Sequence, residues 1–143
     1  TATLSVVVID ERTPSTMRFM IIVKATADSE AGVMPPPSLL AEMGAFHEEL
    51  ARAGVLLDGA GLRASSRGWR VHIGSDGERR IAEGPFAEAT DLIAGYTLIQ
   101  VRSRDEAIEW SRRYPNPAID GGTCEIEVRR LVDIEDFQQG EHQ

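Results

Sequence analysis

The amino-acid sequence predicts an α+β protein. From Arg18 onward the hydrophobic patterns follow the order strand, helix, strand, hairpin, strand, helix, strand. This is the βαββαβ order of a ferredoxin-like fold with an additional β-hairpin. Only two segments have the periodicity of amphipathic helices, so the helices can cover only one face of the sheet. Because two strands are apolar on both faces, we expect the open face to pack against a second copy of the chain, giving a homodimer.

Length and composition fit one globular domain. The 143 residues contain 15 Lys and Arg against 23 Asp and Glu, a formal net charge of -8, which disfavours nonspecific attraction to nucleic acid or to an anionic membrane. A single cysteine excludes an intrachain disulfide, and the three histidines lack zinc-site spacing. No apolar run approaches the roughly 20 residues that span a bilayer. These features predict a cytoplasmic protein without metal, cofactor, nucleic-acid partner or membrane segment.

The first two predicted strands differ in their setting. Residues 1–16 form an N-terminal extension with a short β-branched strand at Thr3–Ile9, which lacks the basic flank and cleavage site of a signal peptide. The next strand covers Arg18–Ala25. Its apolar side chains occupy both faces, Phe19, Ile21 and Val23 on one and Met20 and Ile22 on the other.

The clearest helix follows a loop at Ala27–Pro37. Ser38 is the expected N-cap, and Gly54 stands where a C-terminal cap belongs. Between them, apolar residues recur at helical spacing and form one stripe of Leu39, Met43, Phe46 and Leu50.

The centre of the chain predicts a strand and a hairpin. Val55–Arg63 is a strand interrupted by glycines, and Gly68–Ala82 is a hairpin with Ser75-Asp76-Gly77 at its turn. Side-chain alternation places Trp69, Val71 and Ile73 on one face of the hairpin, and Arg70 and His72 on the opposite, wetter face.

The last third predicts strand, helix and strand. After a loop at Glu83–Ala94 comes a strand at Tyr96–Val101, apolar on both sides. Ser103 and Glu106 then form a capping box for a helix that reaches about Arg113. The expected buried side of this helix consists of Ala107, Ile108, Trp110 and Tyr114. A half-buried strand at Cys124–Val132 and an acidic tail at residues 138–143 complete the chain.

Several short motifs occur in a fixed order across residues 17–137. They are Met17-Arg18-Phe19-Met20-Ile21-Ile22-Val23, Phe46-His47-Glu48-Glu49-Leu50 with Ala53-Gly54-Val55, Glu83-Gly84-Pro85-Phe86-Ala87-Glu88, Leu92-Ile93-Ala94-Gly95-Tyr96, Ser103 with Glu106-Ala107-Ile108-Glu109-Trp110, and Glu125-Ile126-Glu127-Val128-Arg129. Together they resemble the YCII-related family and, within it, the DGPF branch. The resemblance defines residues 17–137 as the expected YCII-related domain.

The resemblance implies a dimeric ferredoxin-like α+β barrel. It also implies relatives of two kinds, small enzymes that act on hydroxylated aromatics or lactones by acid-base chemistry, and members beside or fused to sigma-factor-like regions. The chain departs from the family pattern at two positions. Glu83 stands in place of the usual Asp, and Arg63 stands where a His often precedes Pro-Ser.

His47 and Glu83 are the candidate catalytic residues. His47 lies at the edge of the helical stripe, where its side chain can reach a pocket between helix and sheet, and an imidazole titrates in the range that acid-base catalysis requires. Glu83 precedes a rigid Gly-Pro turn, from which a carboxylate can orient a histidine or accept a proton. The alternatives are a boundary histidine without a role and a turn that only docks Phe86 in the core.

Arg63, Ser65, Arg70 and His72 are the candidate ligand-binding residues. They offer donors for a carboxylate or another anion at the dimer cleft; the alternatives are a solvated pair of side chains and an ordinary loop. Cys124 is expected to be a buried, inert thiol. Trp69 and Trp110 are expected to be core aromatics.

These observations lead to two functional hypotheses. The first is a small cofactor-independent enzyme, lyase-like or isomerase-like, that acts on a small molecule in the barrel cleft with His47 and Glu83 as acid-base pair. The alternative is a non-catalytic dimeric ligand-binding or regulatory module, linked to sigma-factor-dependent transcription. The first requires the two side chains to converge on one concave pocket, whereas the second predicts no convergent titratable groups.

Overall fold

The structure is a computed structural model and describes residues 16–87 and 91–139. These residues contain the strands β1 Met17–Lys24, β2 Leu56–Gly61, β3 Trp69–Ile73, β4 Arg79–Glu83, β5 Ile93–Val101 and β6 Ile126–Arg130. The helices are α1 Ala27–Glu30, α2 Pro37–Arg52, α3 Arg104–Arg112 and α4 Ile134–Gln139, and a 3-10 turn covers Ser65–Arg67. The predicted strand at Thr3–Ile9 and the last four residues of the predicted tail lie outside the described residues.

The main sheet has four strands in the order β2-β5-β1-β6, and all neighbours are antiparallel. The predicted hairpin is present as a separate two-stranded sheet of β3 and β4. The architecture is therefore α+β with an antiparallel sheet, compatible with a ferredoxin-like arrangement.

Helices α2 and α3 cover one face of the main sheet. The predicted helical stripe is confirmed at Phe46 and Leu50, which pack in one buried cluster with Ile21 of β1, Ile99 of β5 and Ala107 of α3. Each of these five residues has less than a tenth of its surface exposed. Burial of this apolar area is the main contribution that holds the helices on the sheet.

The opposite sheet face is also apolar at its centre. Strand pairing places Met20 opposite Leu98 and Ile22 opposite Tyr96. All four side chains are half-buried, although neither α2 nor α3 packs on this face. We call Met20, Ile22, Tyr96 and Leu98 the open sheet face.

Helix α2 begins two residues earlier than predicted. Its N-cap is Pro36, which makes no side-chain capping bond, and Pro37 is the first helical residue. The predicted Ser38 cap is therefore wrong, because proline fixes φ near its helical value and favours the first helical position. The C-terminal prediction is confirmed, since Gly54 follows the last turn with φ of 77°.

Helix α3 forms only half of the predicted capping box. The hydroxyl of Ser103 accepts from the backbone N–H of Glu106 at 3.1 Å. The Glu106 carboxylate, however, accepts from the N–H of Arg102 at 2.9 Å and not from that of Ser103. Both bonds still satisfy N–H groups at the start of the helix.

Two short helices were not predicted. Helix α1 lies in the segment predicted to be a loop and is a single turn, fixed by reciprocal bonds between Thr26 and Ser29. Helix α4 lies in the acidic C-terminal segment; the N–H of Asp133 donates to the carboxylate of Asp136 at 2.9 Å, and Arg18 anchors Asp133 at 2.7 Å. Such short helices depend on local polar bonds, which hydrophobic periodicity does not report.

The prediction that Trp69 is a core aromatic is wrong. Its side chain is 62% exposed, because the hairpin forms a sheet of its own and does not join the main sheet. Trp110, in contrast, is half-buried and packs against the core cluster.

Candidate functional site

His47 lies between helix α2 and the main sheet, with both ring nitrogens hydrogen-bonded. Nδ1 lies 2.9 Å from the carbonyl oxygen of Met43, one helical turn earlier. Nε2 lies 2.8 Å from the hydroxyl of Thr97, at the centre of β5. The side chain is half-buried, so the helix and the sheet together hold the imidazole in one orientation.

The partners of His47 determine its tautomer. A carbonyl oxygen can only accept, so Nδ1 carries the proton and donates to Met43. In the neutral imidazole Nε2 is then the acceptor, and the hydroxyl of Thr97 donates to it. In this tautomer the acceptor nitrogen of the imidazole faces a buried hydroxyl.

Thr97 connects His47 to Tyr114. The Thr97 side chain is fully buried, and its oxygen lies 3.2 Å from Oη of Tyr114. Because the Thr97 proton points to His47, the Tyr114 hydroxyl donates to Thr97. The chain of donors therefore runs from Tyr114 through Thr97 to His47. If His47 gains a proton at Nε2, its bond with Thr97 must reverse, so that Nε2 donates to the Thr97 oxygen and the Thr97 hydroxyl proton turns away.

Burial raises the pKa of Tyr114, and its hydrogen bond with Thr97 offsets part of this rise. Tyr114 therefore remains a neutral phenol near pH 7 and can act as a donor. Its ring packs edge-on against Phe46 with the centroids 5.3 Å apart, and Phe46 also meets the imidazole of His47 edge-on at 6.1 Å. This aromatic packing fixes both ends of the hydrogen-bonded chain.

Gly59 of β2 leaves the space that His47 occupies. A Cβ atom at Gly59 would lie 3.1 Å from Nε2 and 3.3 Å from Cδ2 of His47. These distances are tighter than ordinary contacts, so a larger residue would push against the imidazole. The glycine in β2 is therefore part of the His47 site.

Glu83 lies elsewhere, at the base of the hairpin. It is the last residue of β4, pairs with Trp69 across the hairpin, and is exposed. Within residues 16–87 and 91–139, no hydrogen bond joins Glu83 to His47. Nε2 of His47, which would otherwise be free to bond a carboxylate, is bonded to Thr97.

The residues after Glu83 close the base of the hairpin. The Ser65 hydroxyl donates to Glu30 at 2.5 Å, and its oxygen accepts from the N–H of Phe86 at 3.0 Å. Gly84 sits so close to this turn that a Cβ atom would lie 1.9 Å from the Ser65 carbonyl oxygen. The Gly84-Pro85-Phe86 motif therefore packs the hairpin base against the turn at Ser65.

The candidate ligand-binding residues occupy different environments. The Ser65 hydroxyl is engaged by Glu30 and Phe86, and the guanidinium of Arg70 stacks 3.8 Å from the centroid of the Phe86 ring. His72 faces solvent and pairs with Arg80 across the hairpin. Arg63 is also exposed. Ser65 and Arg70 therefore both contact Phe86, whereas no hydrogen bond in the described structure joins Arg63 or His72 to them.

An open groove lies beside Tyr114. Its volume is about 310 Å³, and its lining includes Tyr114, Asn116, Cys124 and Ile126. The Cys124 thiol donates to Oδ1 of Asn116 at 3.2 Å, and burial is the main cause that raises the pKa of Cys124. A neutral, bonded thiol is a poor nucleophile, but Cys124 is half-buried and not buried as predicted.

A polar pair lies at the β2 side of the open sheet face. The Tyr96 hydroxyl donates to the carboxylate of Asp58 at 3.1 Å. This bond, followed by the negative charge of Asp58, raises the pKa of Tyr96. The Asp58 carboxylate is therefore a hydrogen-bond acceptor at the border of the open sheet face.

Sequence reasoning found His47 and missed its partners. Thr97 is the one detectable signal, because a threonine in the middle of a strand that is apolar on both sides must find a hydrogen-bond partner when buried. Tyr114 was expected on the buried side of its helix, but nothing in the sequence indicates that its hydroxyl would reach β5.

The described part of the chain shows neither a metal-binding cluster nor a helix that could span a membrane. Residues 16–87 and 91–139 contain no cluster of three or more side chains suited to holding a metal ion. None of the helices among them combines the length and the apolar composition needed to cross a bilayer.

Fold and site together define a small α+β protein with an antiparallel sheet, helices on one sheet face and a histidine-centred polar chain between helix and sheet. The model of the YCII-related domain matches residues 17–132. The chain therefore belongs to the YCII-related family. No curated protein matches the chain.

Proposed function

We propose that this YCII-related protein is a homodimeric, cofactor-independent enzyme that moves a proton on a small molecule through His47. Lyase-like or isomerase-like chemistry is supported by a histidine, a buried hydroxyl and a neutral phenol that are hydrogen-bonded in series. A substrate proton taken up at Nε2 of His47 reverses the bond to Thr97, whose oxygen then accepts from the imidazolium that forms.

The observation that carries this proposal is the hydrogen bond between Nε2 of His47 and Thr97, 2.8 Å long. It holds a ring nitrogen of His47 in a half-buried site against a hydroxyl that can exchange donor and acceptor roles with it, which supports general acid-base catalysis. In this proposal Glu83 is not part of the catalytic site, because it lies at the hairpin base. Thr97 and Tyr114, and not Glu83, orient His47.

The open sheet face supports the homodimer. Its central side chains are Met20, Ile22, Tyr96 and Leu98, and packing two such faces would complete an α+β barrel. The Glu83-Gly84-Pro85-Phe86 segment supports assignment to the DGPF branch, since the structure gives Gly84 a packing role that no larger residue could fill. A single cysteine supports a cytoplasmic location.

A second candidate function is a non-catalytic dimeric ligand-binding or regulatory module, including one that acts with sigma factors. One observation favours it: both nitrogens of His47 already have partners within the chain. In that case the hydrogen-bonded residues Tyr114, Thr97 and His47 would stabilise the fold and would not exchange a proton with a ligand.

The experiment is proton exchange in D2O. The protein is incubated with a panel of hydroxylated aromatics and lactones, and NMR records the loss of C–H signals. We expect exchange in at least one compound, with a loss of at least a hundredfold in the H47Q variant, because removal of a general base costs about that much or more.

Glu48 supplies the control. It is the exposed neighbour of His47 on α2, so E48Q should leave the exchange rate unchanged. Exchange that survives in H47Q would overturn the catalytic role of His47. Binding of a panel compound without any exchange would favour the non-catalytic module.

A further inference from the structure

One face of the β3–β4 hairpin carries a row of solvent-exposed apolar side chains, flanked by the charged residues Arg79, opposite Ile73, and Glu83, opposite Trp69. Trp69, Val71 and Ile73 alternate along β3, and Ile81 pairs directly with Val71. Their exposed fractions are 62%, 45%, 60% and 64%. We call these four residues the hairpin patch. An isolated two-stranded hairpin has little stability of its own in water, so such a face calls for a cover.

The hairpin patch is too small to form an interface alone. Four partly exposed apolar side chains offer on the order of 400 Å², whereas a stable interface buries about 800 Å² on each partner. A partner that covers the patch must therefore bury further surface on the same molecule. The open sheet face of Met20, Ile22, Tyr96 and Leu98 is a second apolar area without cover from α2 or α3.

A second copy of the chain accounts for both surfaces. In a two-fold dimer each surface occurs twice, so sheet and hairpin contacts add to one interface.

We propose that the hairpin patch docks on a second copy of this chain, so that the two hairpins extend the dimer interface beyond the open sheet faces. This inference rests on the homodimer proposed above. It adds that the hairpin, which lies outside the four-stranded sheet, is a dimer arm and contributes a specific part of the affinity.

The first test uses the fluorescence of Trp69. The chain has two tryptophans, so W110F leaves Trp69 as the single reporter. During dilution through the dimer dissociation range, measured by sedimentation equilibrium, we expect Trp69 emission to shift from the blue of a buried indole to the red of an exposed one. Emission that is red at every concentration, while the protein is dimeric, would overturn the proposal.

The second test compares the two faces of the hairpin. V71K places a charge in the hairpin patch and should weaken the dimer at least tenfold. H72K places the same charge on the neighbouring residue, which faces the other way, and should change dimer affinity less than threefold. Circular dichroism verifies that both variants are folded. Equal weakening by the two variants would overturn the face-specific contact.

A third variant separates the arm from the dimer itself. M20K places a charge on the open sheet face. If M20K dissociates the dimer while V71K leaves it intact, the homodimer stands and the hairpin arm is overturned. If the unmodified protein is a monomer at all concentrations, both the homodimer and the arm are overturned.

Discussion

The hydroxyl of Thr97 lies 2.8 Å from Nε2 of His47 and 3.2 Å from Oη of Tyr114. One buried atom of β5 thereby connects helix α2 to the residue that follows α3. The two helices that cover the sheet are joined by polar bonds as well as by apolar packing, so a change at Thr97 should alter both stability and the state of His47.

Replacement of Thr97 by valine tests this connection. T97V keeps the shape of the side chain and removes the hydroxyl, so Nε2 of His47 and the Tyr114 hydroxyl lose their shared partner. We expect a loss of about 1–3 kcal/mol in the free energy of unfolding, the usual cost of unsatisfied buried polar groups, measured by urea denaturation. T97S retains the hydroxyl and is the control. A T97V variant as stable as the unmodified protein would show that the bonds contribute nothing to folding.

Gly59 and Gly61 of β2 form a matched pair. An alanine at 59 would meet the His47 ring at 3.1 Å, whereas an alanine at 61 would meet only the Ala94 carbonyl oxygen at 3.9 Å. We expect G59A to cost about 1–3 kcal/mol of stability through overpacking and to shift the ring signals of His47 in NMR spectra. G61A should be nearly neutral. Equal effects of the two substitutions would contradict a specific contact with His47.

The two tyrosines should titrate at high pH. Burial raises the pKa of Tyr114 above its ordinary value of 10.0, so the folded state favours the neutral phenol. The stabilisation that this provides is complete below the ordinary pKa and is lost as the pH rises through the pKa of the folded state. Y96F leaves Tyr114 as the single tyrosine, and absorbance at alkaline pH should place its midpoint above 10.0.

Tyr96 has a different cause for its raised pKa. The hydrogen bond to Asp58 comes first, and the carboxylate charge adds to it. In the Y114F background, D58N should therefore move the midpoint of Tyr96 back toward 10.0. The companion change D105N, in α3, should leave that midpoint in place. If the titration midpoint of Tyr96 is the same with and without D58N, the hydrogen bond between Tyr96 and Asp58 is contradicted.

Gly84 should tolerate no side chain. The Cβ atom of an alanine at position 84 would lie 1.9 Å from the carbonyl oxygen of Ser65. Relief of this clash would require the backbone to move, which costs free energy of folding. We expect G84A to cost about 3 kcal/mol and to open the hairpin base, so that the amide of Phe86 exchanges faster with D2O. Gly68 is the control, because its nearest atom, the Ser65 oxygen, lies at 3.7 Å. Unchanged exchange at Phe86 in G84A would disprove the packing role.

Cys124 should react slowly with alkylating reagents. Its pKa is raised mainly by burial, and only the thiolate reacts. At pH 8 the folded protein should therefore react more slowly with iodoacetamide than the same protein unfolded in urea. Equal rates before and after unfolding would show that the thiol is neither shielded nor bonded to Asn116.

The sequence predicted the elements whose signal is local and repeated. The stripe that contains Phe46 and Leu50, the cap at Gly54 and the hairpin between Gly68 and Ala82 were readable from periodicity and turn residues. Helix α1 escaped this reasoning because it is a single turn with no apolar face, and α4 because its residues read as an acidic tail. Ser38 was misassigned as a cap because Pro37 already has the backbone angle that a first helical residue needs.

The features of the candidate site also fall into those that the sequence predicts and those that it does not. The amino-acid sequence by itself determined the α+β arrangement, the core residues Phe46 and Leu50, and His47 as a titratable group at the edge of a helical stripe, because these depend on spacing within one element. Tertiary structure alone decided that His47 meets Thr97 and Tyr114 and that Glu83 stands at a hairpin base. Those outcomes depend on how strands pair and where a helix comes to rest on a sheet. Residues 50 positions apart become neighbours only when the chain is packed, and no local pattern records that distance.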